Sequence, residues 1–170
     1  MSQTTMKAPD LASPQELRAA FGRFATGVVA VTYEADGVRY GMTVNSFTSV
    51  SLDPALALVA VRKESRAREF LETGHYTINV LAEEQLATGQ YFAGRPGDAE
   101  PAWLTDGRAP RLEGALAFFE CEPWATYDGG DHALVVGRVT AFGHRPGPAG
   151  AEPLLFFEGG WRRLDVDRCA

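Results

Sequence analysis

The chain has 170 residues and a mass of 18.4 kDa, with 45% hydrophobic and 22% charged residues, the balance of a folded globular domain rather than a disordered or membrane-embedded one. Its formal charge of -6 and pI near 5.1, with no Lys/Arg stripe, would repel a phosphate backbone and argue against nucleic acid as a partner. No apolar run has the length of a spanning helix, and the first ten residues lack the apolar core of an export signal.

These bounds predict one domain over 13–166, a loose arm over 1–12 and a short tail over 167–170. Cys121 and Cys169 are the two cysteines, the second one residue from the end. Both are expected to be reduced, in a cytoplasmic protein.

Ser13-Pro14-Gln15-Glu16 has the form of a capping box with proline at the first helical position. Leu17, Ala20, Phe21 and Phe24 follow at helical spacing, which predicts a helix to about Phe24. Val28–Tyr33 reads as a strand, folded by Ala35-Asp36-Gly37 against a second strand over Val38–Ser46. Ala55–Val61 is continuously apolar, the pattern of a strand buried on both faces. A short helix over Ser65–Thr73 stops at Gly74, a strand runs from His75 to Leu81, and a helix from Glu83 to Phe92. A loop from Ala93 extends to about Trp103. Strands are then predicted over Ala115–Tyr127, His132–Phe142 and Leu154–Leu164, separated by Asp128-Gly-Gly-Asp131 and the Pro/Gly-rich Arg145–Gly150. Many strands, few helices and no regular β-α alternation predict a mainly β fold, an antiparallel barrel with helices outside.

Gly41–Ser51 interleaves Thr43, Asn45, Ser46, Thr48, Ser49 and Ser51 with Val44, Phe47 and Val50. A strand there would set apolar side chains on one face and small donors and acceptors on the other, suited to a neutral, oxygen-rich ligand. Such residues also satisfy their own backbone in ordinary strands and turns. The basic cluster Arg62, Lys63, Arg66 and Arg68 has the size for one phosphorylated small molecule, or forms a solvated helix start.

His75, His132 and His144 lie far apart, without metal-ligand spacing, so no metal site is predicted. There is no Gly-x-Ser-x-Gly, Gly-x-Gly-x-x-Gly or P-loop. Glu83-Glu84 and the bracket Glu120-Cys121-Glu122 read as solvated faces. His132, behind a flexible turn, faces either a cleft or solvent. Trp161 is either a stacking platform or a core anchor, and one of Phe156 and Phe157 points inward.

Taken in order, Phe24–Val28, Gly41–Ser51, Asn79–Leu81, Phe92-Ala-Gly94, Gly130-Asp-His132 with Gly137-x-Val139, and Pro153–Phe157 leading to Gly159-Gly-Trp161 resemble the short-chain flavin reductase family. That family provides the NAD(P)H-dependent reductase components of two-component flavin monooxygenases. The resemblance runs from Phe21 to Leu164. It implies a Greek-key-like split β-barrel of the FMN-binding type, a homodimer, and FAD or FMN reduced by NADH or NADPH, NADH being favoured, for a partner monooxygenase. It also implies flavin contacts from Thr26, Gly27, Thr43, Val44, Asn45, Ser46, Ser49, Val50, Ser51, Ser65 and Arg66, and nicotinamide contacts from His132 and Trp161. Trp161 stands where the family often has Tyr, which keeps stacking and excludes a phenol hydrogen bond. No residue is expected to act as a catalytic acid or base. The alternatives are a non-catalytic flavin- or haem-binding barrel and an enzyme like pyridoxamine-phosphate oxidase.

Overall fold

The computed structural model describes residue 8 and residues 13–95, 97, 100–145 and 151–164. Cys169, the 167–170 tail, the arm apart from Ala8, and the Pro/Gly-rich loop after Arg145 lie outside the described residues. No helix among the described residues is long and apolar enough to cross a membrane.

Helix α1 spans Pro14–Phe21 and opens on the expected capping box. Ser13 Oγ accepts from Glu16 N at 3.2 Å, and Glu16 Oε2 accepts from Ser13 N at 2.9 Å. The helix ends three residues before the predicted Phe24, because Gly22 caps it and turns its carbonyl to Glu158 N. No residue of α1 is buried, and Phe21 and Phe24 are 71% and 78% exposed.

Strand β1 is Thr26–Gly27, β2 is Val29–Ala35, β3 is Val38–Val44, β4 is Thr48–Leu52 and β5 is Ala55–Arg62. Helix α2 (Arg66–Thr73) leads to β6 (Tyr76–Val80). A 3-10 turn, Glu83–Gln85, precedes α3 (Leu86–Phe92). The predicted loop before Trp103 gives way to a small hairpin, β7 (Trp103–Leu104) against β8 (Arg111–Leu112). The long hairpin β9 (Ala117–Gly129) and β10 (His132–His144) follows. The predicted strand Leu154–Leu164 is instead two strands, β11 (Leu155–Phe157) and β12 (Gly160–Arg162). Glu158 and Gly159, at φ of 50° and 72°, reverse the chain between them.

Seven strands form one antiparallel sheet in the order β3-β2-β6-β9-β10-β5-β4. Its two margins, β3 and β4, are consecutive in the chain and separated by Asn45, Ser46 and Phe47. Three residues cannot span an open sheet of this width, so the sheet curls until its margins meet at a seam. The polar run Gly41–Ser51 is therefore not one strand with one polar face. It leaves the first margin, turns the corner and becomes the second.

The barrel interior holds Val29, Val31, Val59, Ile78 and Val135, and Ala67 and Leu71 of α2 pack against them. A second apolar layer, Val28, Ala30, Leu81, Leu112 and Leu154, lies beneath α3 and the two small hairpins. This layer reverses one expectation. The strand buried on both faces is β2, whereas β5 is buried only through Ala57, Val59 and Val61 and leaves Leu56, Leu58 and Ala60 half-buried outside. An apolar run shows that a strand can be covered, and only tertiary packing decides whether it is.

Buried polar groups tie the layers together. Asn79 Nδ2 donates to Ala30 O at 3.0 Å and Thr32 Oγ1 at 2.9 Å, while its Oδ1 accepts from Leu112 N at 2.8 Å. Glu120, predicted to be solvated, is buried: its Oε1 accepts from Arg108 N at 2.6 Å and so holds the loop before β8. Glu122 does stay on the outer side, paired with Arg138. Burial, then the neighbouring Glu120 carboxylate, pushes the Cys121 thiol up to about 12.

Candidate functional site

A cavity of about 530 Å³ opens at the seam, on the outer face that β5 leaves uncovered. Met42, Thr43 and Val44 reach it from the end of β3, and Asn45 and Ser46 from the corner. Ala60, Val61 and Arg62 line it from β5, Ser65 from the start of α2, and Gly129, His132 and Leu134 from the β9–β10 hairpin. The ladder explains this gathering, since His132 lies opposite Arg62 and Leu134 opposite Ala60.

Ser46 builds the corner. Its Oγ donates to Ala60 O and accepts from Ala60 N, both at 3.0 Å. β4 pairs with β5 only as far as Leu58, so the hydroxyl takes the place of the missing strand residue and satisfies both groups. Thr43 Oγ1 is committed likewise, to Gly89 O of α3 at 2.8 Å. Across the same region the Phe92 ring lies on Gly41, where an added Cβ would come within 2.6 Å of it.

The Asn45 amide and the Ser65 hydroxyl, by contrast, have no protein partner among the described residues, and Ser65 does not cap α2 with its side chain. His132 Nδ1 lies 2.8 Å from Asp131 Oδ1, and this bond, then the imidazole charge, holds the Asp131 carboxyl below its usual range. Arg62 makes no direct ion pair among the described residues. Lys63 and Arg68 are spent on Asp128 at 2.6 Å and Glu72 at 2.8 Å, and Arg66 sits over Tyr40 and Phe70, 5.4 and 5.6 Å from their centroids.

Of the residues predicted for the site, the cavity lining thus includes Thr43, Val44, Asn45, Ser46, Ser65 and His132. Thr26 and Gly27 pair with Phe156 and Leu155 beyond α1, and Ser49, Val50 and Ser51 lie along β4 at the opposite margin. Arg66 faces its aromatic neighbours. Trp161 packs against Phe156 and over Gly89 in the second apolar layer, so in the single chain it is a core anchor. Met42, Ala60, Val61, Arg62, Gly129 and Leu134 were not predicted as lining. Arg62 had a sequence signal in its basic cluster; the small apolar residues had none.

Ala60 and Leu134 offer an apolar wall on the outer face, Asn45 a free amide at one rim, and Arg62 with Ser65 a cation and a hydroxyl at the start of α2. A flat ring with a polar edge and an anionic tail fits that order, and the volume lies within the range of about 300–1,000 Å³ usual for small-molecule pockets. The residues present therefore fit a flavin nucleotide.

The molecule is an antiparallel split barrel with a largely neutral groove on its outer face at the seam. The comparisons agree: the family described as flavin reductase like domain matches residues 21–165, and the chain belongs to that family. An NADH-dependent flavin reductase of Rhodococcus sp is 38% identical over 171 residues, covering 98% of this chain and 95% of that protein. The reductase component of a flavin-dependent trigonelline monooxygenase from Acinetobacter baylyi is 45% identical over 134 residues, covering 75% of this chain. The chain spans 43% of that longer relative. A Streptomyces globisporus NADH:FAD oxidoreductase, solved in complex with NAD and FAD fragments, superposes with a TM-score of 0.83 at 32% identity, covering 96% of this chain and 99% of that one.

Proposed function

We infer that this protein is a flavin reductase that uses NADH to reduce FAD or FMN and supplies the reduced flavin to a partner monooxygenase. One observation carries the reading: the seam cavity brings His132 opposite an apolar wall and the free Asn45 amide, and the chain belongs to a family whose relatives are named for this activity. When both nucleotides are bound, hydride transfer is the chemistry that they supply between them.

What the chain contributes is placement. Ala60 and Leu134 exclude water from one face of the groove, and the small Ala60 side chain leaves room for two stacked rings. The Asn45 amide bonds the polar edge of the flavin ring, and Arg62, Ser65 and the first turn of α2 take its phosphate. Thr43 and Ser46 shape the site from behind, through Gly89 and Ala60. His132 meets the nicotinamide nucleotide at the open side.

In the working form a second copy covers the surfaces that one chain leaves open. Leu52 is 97% exposed, Val50 is exposed on the same strand, and α1 presents Leu17 and Phe21. Apolar surface on this scale supports a homodimer. In that dimer Thr26, Gly27, Ser49, Val50, Ser51, Arg66 and Trp161 complete the binding site from its margins. The protein works in the cytoplasm, where NADH is available.

Steady-state NADH oxidation with added FAD or FMN tests the reading. The wild type is expected to turn over with at least one flavin, and His132→Ala to raise the NADH KM about tenfold while flavin affinity changes less than twofold, the loss of a charge-assisted contact. Equal loss of both affinities, or of neither, would remove His132 from the nicotinamide site.

A further inference from the structure

His132 opens β10 directly after the two-residue connection Gly130-Asp131, where the β9–β10 ladder ends on the pair His132 and Gly129. Asp128-Gly129-Gly130-Asp131 holds two glycines, Gly130 at φ 79°, and its residues are exposed. Glycine leaves the unfolded backbone freer than any other residue, so this connection gains from fixing beyond the ladder and the bond from Gly130 N to Asp128.

The fixing comes from Lys63, which follows Arg62 but does not line the cavity. It borders a separate cleft with Arg68, Tyr127 and Asp128. Lys63 Nζ donates to Asp128 Oδ2 at 2.6 Å, and the other carboxylate oxygen of Asp128 accepts from Gly130 N at 3.0 Å. The backbone of Lys63 donates to Asp131 O at 3.1 Å. Asp131 Oδ1 in turn lies 2.8 Å from His132 Nδ1. One residue thus grips the turn at both ends, and the turn holds the imidazole.

We propose that Lys63 and Asp128 are positioning residues: their ion pair latches the β9–β10 turn and so fixes where His132 presents its ring to the cavity. Neither residue reaches the cavity. The pair is partly exposed, with side chains 35% and 77% accessible, and such pairs contribute little to global stability. A solvent-exposed turn, however, opens at small cost, so a weak tie there shifts its population measurably. The Lys63 bond also holds the Asp128 carboxyl below its usual range.

The inference rests on reading His132 as a nicotinamide contact, and the test separates the two. In the full-length protein without nucleotide, Lys63→Met and Asp128→Asn are each expected to speed amide hydrogen exchange at Gly130 and His132 roughly three- to fivefold. Tm should change by less than about 2 °C. The double variant should be no worse than either single one, as two halves of one contact require, and Lys63→Arg should restore slow exchange. With nucleotides present, the same variants should raise the NADH KM by the same factor and leave flavin affinity unchanged. Unchanged exchange in both single variants, or additive effects in the double variant, would overturn the latch. Faster exchange with an unmoved KM would overturn its positioning role. Absence of NADH oxidation in the wild type would sink the functional reading, while the exchange measurement still decides the latch.

Discussion

Gly137→Ala is expected to cost about 3 kcal/mol of stability, a fall in Tm of about 6–12 °C, although it adds one methyl group. A Cβ at this position would lie 2.2 Å from Tyr76 Oη and 2.9 Å from Cys121 Cβ. None of the three can yield. Gly137 is paired with Ala57 on one side and Pro123 on the other, so β10 cannot retreat without breaking two ladders. Tyr76 and Cys121 are fully buried and are themselves paired across β6 and β9. The Tyr76 hydroxyl is buried with no oxygen or nitrogen partner among the described residues and only the Cys121 thiol beside it, and burial drives its pKa upward. Removing it should cost little, since the bond to the Cys121 thiol is weak: Tyr76→Phe alone is expected to stay within about 1 kcal/mol of the wild type, and in Gly137→Ala it should restore part of the loss. Urea unfolding of the four proteins checks this. A Gly137→Ala variant as stable as the wild type would refute the close packing of Gly137 against Tyr76.

The largest expected effect on binding comes from Ala60→Leu. Ala60 alternates with the core residues Val59 and Val61, so its side chain lies on the outer face of β5, in the wall of the cavity. Its backbone groups are the ones that Ser46 satisfies, and substitution of the side chain leaves them in place. Leucine would occupy the space proposed for the flavin ring. Flavin affinity should fall about 100-fold, the overcrowding of a close-fitting site, while Tm stays within about 2 °C of the wild type. Ser46→Leu would also fill the cavity, but it would break the corner as well, so Ala60 separates blocked space from lost structure. Unchanged flavin titration by Ala60→Leu would take the cofactor out of the seam.

Local chemistry was legible in the sequence at several points, though not at the Glu158-Gly159 turn. The capping box of Ser13 and Glu16 forms as read, and the turn after Ala35 places Asp36 and Gly37 at φ of 53° and 74°, as a two-residue hairpin connection demands. What sequence could not show was which surfaces end up covered. The run of β5 is the more apolar, yet it is β2, with Thr32, Tyr33 and Glu34 in its sequence, that receives α3 and the small hairpins on its outer face, while β5 leaves Ala60 at its end to line the cavity. The polar run Gly41–Ser51 supplies Met42–Ser46 to the cavity lining, but not as one polar face of a strand. Its hydroxyls do not form one row toward a ligand; Thr43 and Ser46 are spent on Gly89 and Ala60, and Asn45 is the group left free at the corner. Asn79, Gly41 and Gly137 stood out through resemblance, and the structure supplies their physical cause: an amide that joins two layers, and two sites where a ring or a hydroxyl lies against bare backbone.

The seam cavity is proposed to align NADH with a flavin for direct reduction. Anaerobic mixing of the flavin-loaded protein with one equivalent of NADH, followed by flavin absorbance, tests it most directly. Near-stoichiometric bleaching is expected for the wild type, slowed in His132→Ala and lost in Ala60→Leu because the flavin is no longer held. Flavin that stays oxidised in the presence of both NADH and NADPH would contradict the account.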